Sequence, residues 1–243
     1  MLRSTIVTGV SQGLGEALAA ELLARGESVL GVGRRSSPRL GGDRYRFVTC
    51  DLADVASLAS RVEPALRALA ATHPQAACLI NNAATIEHGG VLGTLEADAI
   101  DRSLDVNLAA PIVLADLFCR TFDADAMERR IINVSSGAAH VAIAGASLYS
   151  IAKAGLEMLT QALASEHRSS RLQAITLRPG IVDTPMQAYA RSRPASSFPS
   201  VAMFRQFHAS GQLVAPDVVA RKVVARLVEG PVESGRVYSY AEL

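Results

Sequence analysis

The sequence predicts an α/β fold: a doubly wound parallel β-sheet with helices on both faces. Three observations predict it. Short apolar runs alternate with longer segments of helical periodicity along the whole chain. The runs are solidly apolar rather than alternating, so both faces of each strand are covered, as in parallel sheets joined by crossover helices. The first run ends in a glycine-rich turn that opens directly into a helix.

Residues 5–8, with Ile6 and Val7, form the first strand. Ala17, Leu18, Leu22 and Leu23 recur at helical spacing over 16–25, and Gly26 ends that helix. Strands follow at 28–32 and 45–50. Asp54 caps a helix that runs through Leu58, Val62, Leu66 and Leu69 to residue 71. Residues 77–81 make a fourth strand. A long helix covers 97–118 and is expected to bend at Pro111. A fifth strand at 130–134, a helix at 149–166 and a sixth strand at 172–177 follow, the last ended by Pro179-Gly180. A helix over 217–229 and a strand at 237–240 close the chain. No Gly-, Ser- or Pro-rich linker divides residues 1–243, so one domain is expected. Residues 185–215 carry no strand, and a stretch of that length reads as a substrate-binding loop or lid.

Hydrophobic residues make up 49% and charged residues 19%, enough for a covered sheet. The 24 basic and 23 acidic residues leave a net charge of +1, which gives no electrostatic ground for binding nucleic acid or an acidic membrane. Trp is absent and aromatics are 5%, so stacking platforms are not expected. Apolar stretches fall short of the ~20 residues that span a bilayer. Residues 1–4 run straight into the first strand rather than into a signal peptide. A soluble, cytoplasmic protein is the expectation. Cys50, Cys78 and Cys119 are widely spaced, and no cysteine or histidine cluster suggests a metal. Cys50 and Cys78 read as buried core thiols. Asn133-Val134-Ser135 matches a glycosylation sequon but lies in an expected buried strand.

The turn Thr8-Gly9-Val10-Ser11-Gln12-Gly13-Leu14-Gly15 is built for a dinucleotide pyrophosphate. Gly9 permits the bend, Gly13 lets backbone approach the anion and Gly15 lets the helix lie on the sheet. The helix start supplies free N–H groups. The second strand ends in Gly33-Arg34-Arg35, without the acid that holds a ribose 2′-hydroxyl. Two guanidiniums there pair with a 2′-phosphate, so NADP(H) is preferred, the alternative being two solvated arginines. Asp51, followed by Leu52, is either an acceptor for the adenine amino group or a turn residue.

Tyr149 and Lys153 stand at i and i+4 of a helix and so share one face. A free phenol has a pKa of ~10, and the ammonium of Lys153, with the charge of a bound nicotinamide, is expected to lower it, which suits Tyr149 to proton transfer with a carbonyl oxygen. The bland alternative is a solvated pair. Ser135 and Ser136 both end the fifth strand, and alternation points only one of them at the site. His140 is a second candidate base. Pro179 and Gly180 end the sixth strand, where ligands bind in open α/β sheets. Beyond them Met186, Tyr189, Phe198, Met203, Phe204 and Phe207 are expected to line an apolar pocket, with the polar stretch 191–200 moving; the alternative is that the aromatics form the core of a dimer contact or of a helical flap.

Taken together, the glycine turn, Asn81-Asn82-Ala83-Ala84, Asn107, Ser136, Tyr149-x-x-x-Lys153 and Pro179-Gly180-Ile181-Val182-Asp183-Thr184 make nearly the whole chain resemble the short-chain dehydrogenases/reductases. Within that family it is similar to the sepiapterin reductase/benzil reductase branch, through Ser11 to Ala17, Asn133 to Ala138 and Val182-Asp183-Thr184-x-Met186-Gln187. The resemblance implies a Rossmann-like fold, NAD(P)(H) and a homodimer or homotetramer. It implies Asn107, Ser136, Tyr149 and Lys153 as the catalytic set: Ser136 rather than Ser135 orients the substrate oxygen, Lys153 also holds the nicotinamide ribose, and Asn107 keeps a proton-relay water. It implies Gly9, Ser11, Gln12, Gly13, Leu14, Gly15, Arg34, Arg35, Asp51, Leu52, Asn82, Ala83, Ala84, Tyr149, Lys153, Pro179, Gly180, Val182, Thr184 and Met186 around the cofactor. Two positions depart from the pattern. Ala84 stands where the family has glycine, and Ser239 stands where sepiapterin reductases place an acid for the pterin. The expected activity is therefore NADPH-dependent reduction of a small ketone or diketone. The alternatives are an oxidative dehydrogenase of a sugar, steroid or acyl intermediate, and a non-catalytic nucleotide sensor.

Overall fold

Neighbouring residues of a strand face opposite ways, and the apolar pairs of this chain use both directions. The computed structural model describes residues 3–122, 127–168 and 171–243, so Met1 and Leu2, read above as part of the run into the first strand, lie outside the described residues. Strands β1 (Arg3–Thr8), β2 (Ser28–Gly33), β3 (Tyr45–Thr49), β4 (Ala76–Asn81), β5 (Glu128–Val134), β6 (Leu172–Arg178) and β7 (Val237–Ser239) form one parallel sheet in the order β3-β2-β1-β4-β5-β6-β7. On one face, Val7, Ile80, Ile132 and Ile175 meet Leu18 and Leu22 of α1 (Gly13–Ala24) and Val219 and Val223 of α8 (Pro216–Val223). On the other, Ile6, Leu79, Ile131 and Ala174 meet α2 (Val55–Ala70), α4 (Ala110–Thr121) and α5 (Ser147–Glu166) through Leu58, Val62, Leu114, Phe118 and Leu163. This is the Rossmann-like doubly wound sheet. One connection breaks the usual rule. The crossovers from β4 to β6 pass over the α4–α5 face, but the step from β6 to β7 returns by α8 on the α1 face. Its hand is therefore opposite to the common right-handed one.

Four expectations change in detail. Helix α1 begins at Gly13, three residues before the expected start at 16, so its glycines lie in its first turn. The helix expected over 97–118 is irregular just ahead of Pro111. It runs as α3 (Ala97–Leu104), a π turn (Asp105–Ala109) and α4, whose second residue is Pro111. The helix expected over 217–229 ends in a second π turn (Val224–Val228), and Arg130 donates to the carbonyls of Leu227 (2.7 Å), Val228 (2.9 Å) and Gly230 (2.9 Å) there. Residues 185–215 are not a loop: they hold α6 (Pro185–Ser192) and α7 (Val201–Ala209) and a bridge between Val182 and Val214.

Other readings hold. Asp54 caps α2 by accepting the Ser57 N–H. Cys50 and Cys78 are buried, and burial pushes the Cys78 thiol up to about 12. Asn133 is fully buried and donates to Thr160, so the sequon is spent inside the core. Among the described residues no helix is long and apolar enough to cross a membrane. Because the order reverses between β1 and β4, the connections leave that pair in opposite directions, and a cleft opens at the carboxyl ends of the strands.

Candidate active site

At that cleft Thr8 joins the two sides. Its Oγ1 accepts the N–H groups of Asn82 (3.0 Å) and Ala83 (2.9 Å), and Asn82 Nδ2 donates to the Thr8 carbonyl (2.9 Å). The glycine turn is compressed against them. Gly9 has φ +74° and a Cβ on Gly15 would stand 2.2 Å from the Gly9 carbonyl oxygen, so neither position accepts another residue without movement. Gln12 caps α1 without a side-chain bond, which leaves first-turn N–H groups for an anion. A cavity of about 1000 Å³ runs from this turn along the strand ends. The glycine-turn residues assigned above line it, together with Arg34, Arg35, Asp51, Leu52, Asn82, Ala83, Ala84, Pro179, Gly180, Val182, Thr184 and Met186. Arg34 and Arg35 are exposed, and among the described residues neither has an ion-pair partner. A Cβ on Gly33 would meet nothing nearer than 3.8 Å. Asp51 is a turn residue: its Oδ1 accepts the Ala53 N–H (3.1 Å) and its Oδ2 meets Arg102 (3.4 Å), a cavity residue the sequence did not single out. This set of anion-binding N–H groups, guanidiniums and open backbone fits a dinucleotide. Among the described residues no cluster of three His, Cys, Asp or Glu could hold a metal.

Tyr149 and Lys153 reach the same cavity from the start of α5. Ser136 follows β5, accepts the Ala138 N–H at 3.2 Å and lines the same cavity as Tyr149, whose pKa it acts to lower. Ser135 turns the other way and is buried, its Oγ donating to Glu157 (2.9 Å). Lys153 is 1% exposed, donates to the Val134 carbonyl (2.7 Å) and lies 5.4 Å from the Tyr149 ring centre. Burial lowers its pKa from 10.5 to about 7. Burial raises the pKa of Tyr149, and Ser136 offsets only part of the rise. The lowering expected above belongs to the site with the nicotinamide charge beside Lys153. Lys153, its own pKa lowered by burial, donates to the Val134 carbonyl.

Asn107 does not reach the cavity. It is fully buried in the π turn, where its Oδ1 accepts the Thr85 N–H (2.8 Å) and its Nδ2 donates to the Thr85 carbonyl (2.9 Å). It staples the helix to the loop after β4. A π turn shifts bonds from i−4 to i−5 and so leaves a carbonyl without a helical donor.

One turn beyond Lys153 lies a residue that sequence reasoning missed. Glu157 is 6% exposed, accepts from Ser135 and Arg178 and also meets His140. Burial alone would raise its pKa, but the bonds from Arg178, His140 and Ser135 together hold it below the ordinary value. The available signal was its spacing, i+8 from Tyr149, as an acid in the buried stripe of α5. His140, weighed above as a base, is held by Glu157 (2.8 Å) and also meets Arg178.

The far end of the cavity is apolar. Met186, Tyr189, Met203, Phe204 and Phe207 line it as expected, with Ile86, Val141 and Ile143, which were not foreseen. Phe198 follows the alternative reading: it is 2% exposed and packs with Ala146, Ala190 and Val201 as the core of the flap. In the stretch 191–200, Phe198 belongs to that core and the Arg191 carbonyl accepts from Arg205 (3.1 Å). Tyr189 bridges the flap to the Glu87 carbonyl (3.3 Å). Ser239 lines the cavity, and the nearby acid Glu242 turns back onto its N–H (2.6 Å) and hydroxyl (2.7 Å).

Comparison with known proteins agrees with this geometry. The family model described as short chain dehydrogenase matches residues 3–195. A benzil reductase ((S)-benzoin forming) of Bacillus subtilis is 31% identical over 239 residues, 98% of either chain. A sepiapterin reductase of Meriones unguiculatus is 32% identical over 248 residues, 95% of this chain and 93% of that one. A solved short-chain dehydrogenase/reductase from Saccharomyces cerevisiae superposes with a TM-score of 0.83 at 26% identity, covering 98% of this chain and 96% of its own. The chain belongs to the short-chain dehydrogenase family, oxidoreductases that act on CH–OH and C=O groups with a nicotinamide cofactor.

Proposed function

We propose that the protein is an NADPH-dependent carbonyl reductase that converts a ketone or vicinal diketone to an alcohol, with Tyr149 as general acid. The observation that carries this reading is the convergence of Ser136 and Tyr149 on one cavity wall, with the Lys153 amine buried beside them. A carbonyl oxygen beside the two hydroxyls receives two donors. The raised pKa of Tyr149 keeps its phenol protonated near neutral pH, the form an acid requires and a base does not. As the substrate oxygen gains charge, Tyr149 yields its proton, and the Lys153 ammonium offsets the phenolate that remains. A bound nicotinamide supplies the hydride. Asn107 keeps the π turn in place, whose undonated carbonyl is suited to a water that returns protons through Lys153.

Gly33 in place of an acid, with Arg34 and Arg35 free to pair with a 2′-phosphate, supports NADPH over NADH. The apolar far end and the benzil reductases among the relatives support an aromatic diketone. Ser239, with Glu242 folded onto it, argues against a pterin. The exposed Ile112, Ile151 and Met158 on α4 and α5 support a homodimer or homotetramer. The test is a kinetic screen of benzil-like diketones and simple ketones with both cofactors. NADPH should be consumed with at least one diketone, at a kcat/KM about tenfold or more above NADH. No loss of nicotinamide absorbance across the panel would refute the reading.

A further inference from the structure

We propose that Glu157 is a positioning residue, whose carboxylate fixes the strand end bearing Ser136 and the turn after Arg178 against the Tyr149–Lys153 face of α5. What is being positioned rests on the carbonyl-reductase reading; the cross-link itself does not. A carboxylate offers about four lone-pair directions, and here three are taken by donors. Oε1 accepts from Ser135 Oγ (2.9 Å) and Arg178 Nε (2.9 Å), and Oε2 accepts from Arg178 Nη2 (2.9 Å) and also meets His140 Nε2 (2.8 Å). These partners lie 17 to 22 residues from Glu157 in sequence, on the end of β5, the turn after it and the end of β6.

Each donor adjoins a part of the site. Ser135 precedes Ser136, and its hydroxyl also lies 3.3 Å from the Lys153 carbonyl. Arg178 lines the cavity and precedes the Pro179-Gly180 wall. Its two-pronged contact fixes the plane of the carboxylate as well as the distance. With Glu157 buried, water does not compete for these bonds. Catalysis is sensitive to such a frame, because a shift of about 1 Å in a reacting group costs on the order of 100-fold in rate.

The test compares the parent with Glu157→Gln, Arg178→Met and Ser135→Ala, reading amide hydrogen exchange on the cofactor-free proteins and then kinetics. In Glu157→Gln, exchange over 135–140 and 178–182 should rise about tenfold or more while β1, β2 and β3 stay unchanged. NADPH affinity and ketone KM should stay within about threefold, and kcat should fall about 30-fold or more. Arg178→Met should loosen both segments. Ser135→Ala should loosen 135–140 alone, with a kcat loss of about fivefold, and it decides the matter if Glu157→Gln does not fold. Unchanged exchange in both segments, a uniform rise over the whole sheet, or a Glu157→Gln kcat within about twofold of an active parent overturns the proposal. If both segments loosen but the parent consumes no NADPH with any ketone, the reductase reading fails and the positioning stands.

Discussion

The glycine turn at the start of α1 and the flap over 185–215 line the same cavity but are specified in different ways. In the turn the constraint falls on backbone. A methyl on Gly15 would overlap the Gly9 carbonyl at 2.2 Å, so one residue type fits. In the flap the constraint is volume and polarity. Met186, Met203, Phe204 and Phe207 form a wall that other apolar residues of similar size would also form. A backbone requirement is therefore written in the sequence as glycine, while a pocket shape is written in a degenerate alphabet. Cofactor binding is legible from such a chain and substrate identity is not.

That contrast can be broken by substitution on each side. Gly15→Ala should lower NADPH affinity about 100-fold or more and cost about 3 kcal/mol of stability, measured by cofactor fluorescence titration and denaturant unfolding. A mild effect would mean that the turn has slack and the backbone argument is wrong. Replacing Arg34 and Arg35 together by alanine should weaken NADPH about 100-fold and leave NADH alone. Equal losses for the two cofactors would deny them the 2′-phosphate. In the flap, Phe198→Ala removes a buried ring that does not touch the cavity. It should raise the ketone KM about tenfold with NADPH affinity unchanged, because only the substrate end rests on that core. A further expected effect is on stability against pH. Lys153 is lowered from 10.5 to about 7 in the folded state, so between those values the unfolded chain binds the extra proton. Stability relative to Lys153→Met should therefore rise with pH across that window, by no more than about 1 kcal/mol per unit. A flat difference would mean that the amine is not desolvated.

Much of the fold was legible because each strand is a short apolar run and its partners follow from the alternation with helices. The turn that lines the cavity at the start of α1 was legible through glycine, and the placing of Tyr149 and Lys153 on one cavity-facing side of α5 through their spacing. What was hidden depends on contacts between distant segments. The π turn at Asp105–Ala109 carries Asn107 onto the Thr85 backbone, 22 residues away, a contact that no local pattern shows. Pro111 marked the irregularity only to within a few residues. Glu157 and Arg178 look like surface charges until β5, β6 and α5 meet. The α6–α7 flap read as loop because its periodicity is short and interrupted by Pro194 and Pro199. The upward push on Tyr149 was not foreseen because it comes from burial, which sequence does not show.

The most direct measurement is the rate of NADPH consumption by Tyr149→Phe with a diketone that the parent protein reduces. The substitution removes one oxygen and leaves the ring. We predict unchanged NADPH affinity with turnover about 1000-fold lower. A Tyr149→Phe protein that still reduces the diketone within a few-fold of the parent would contradict the assignment of the proton donor, and with it the chemistry built on the Ser136–Tyr149 pair.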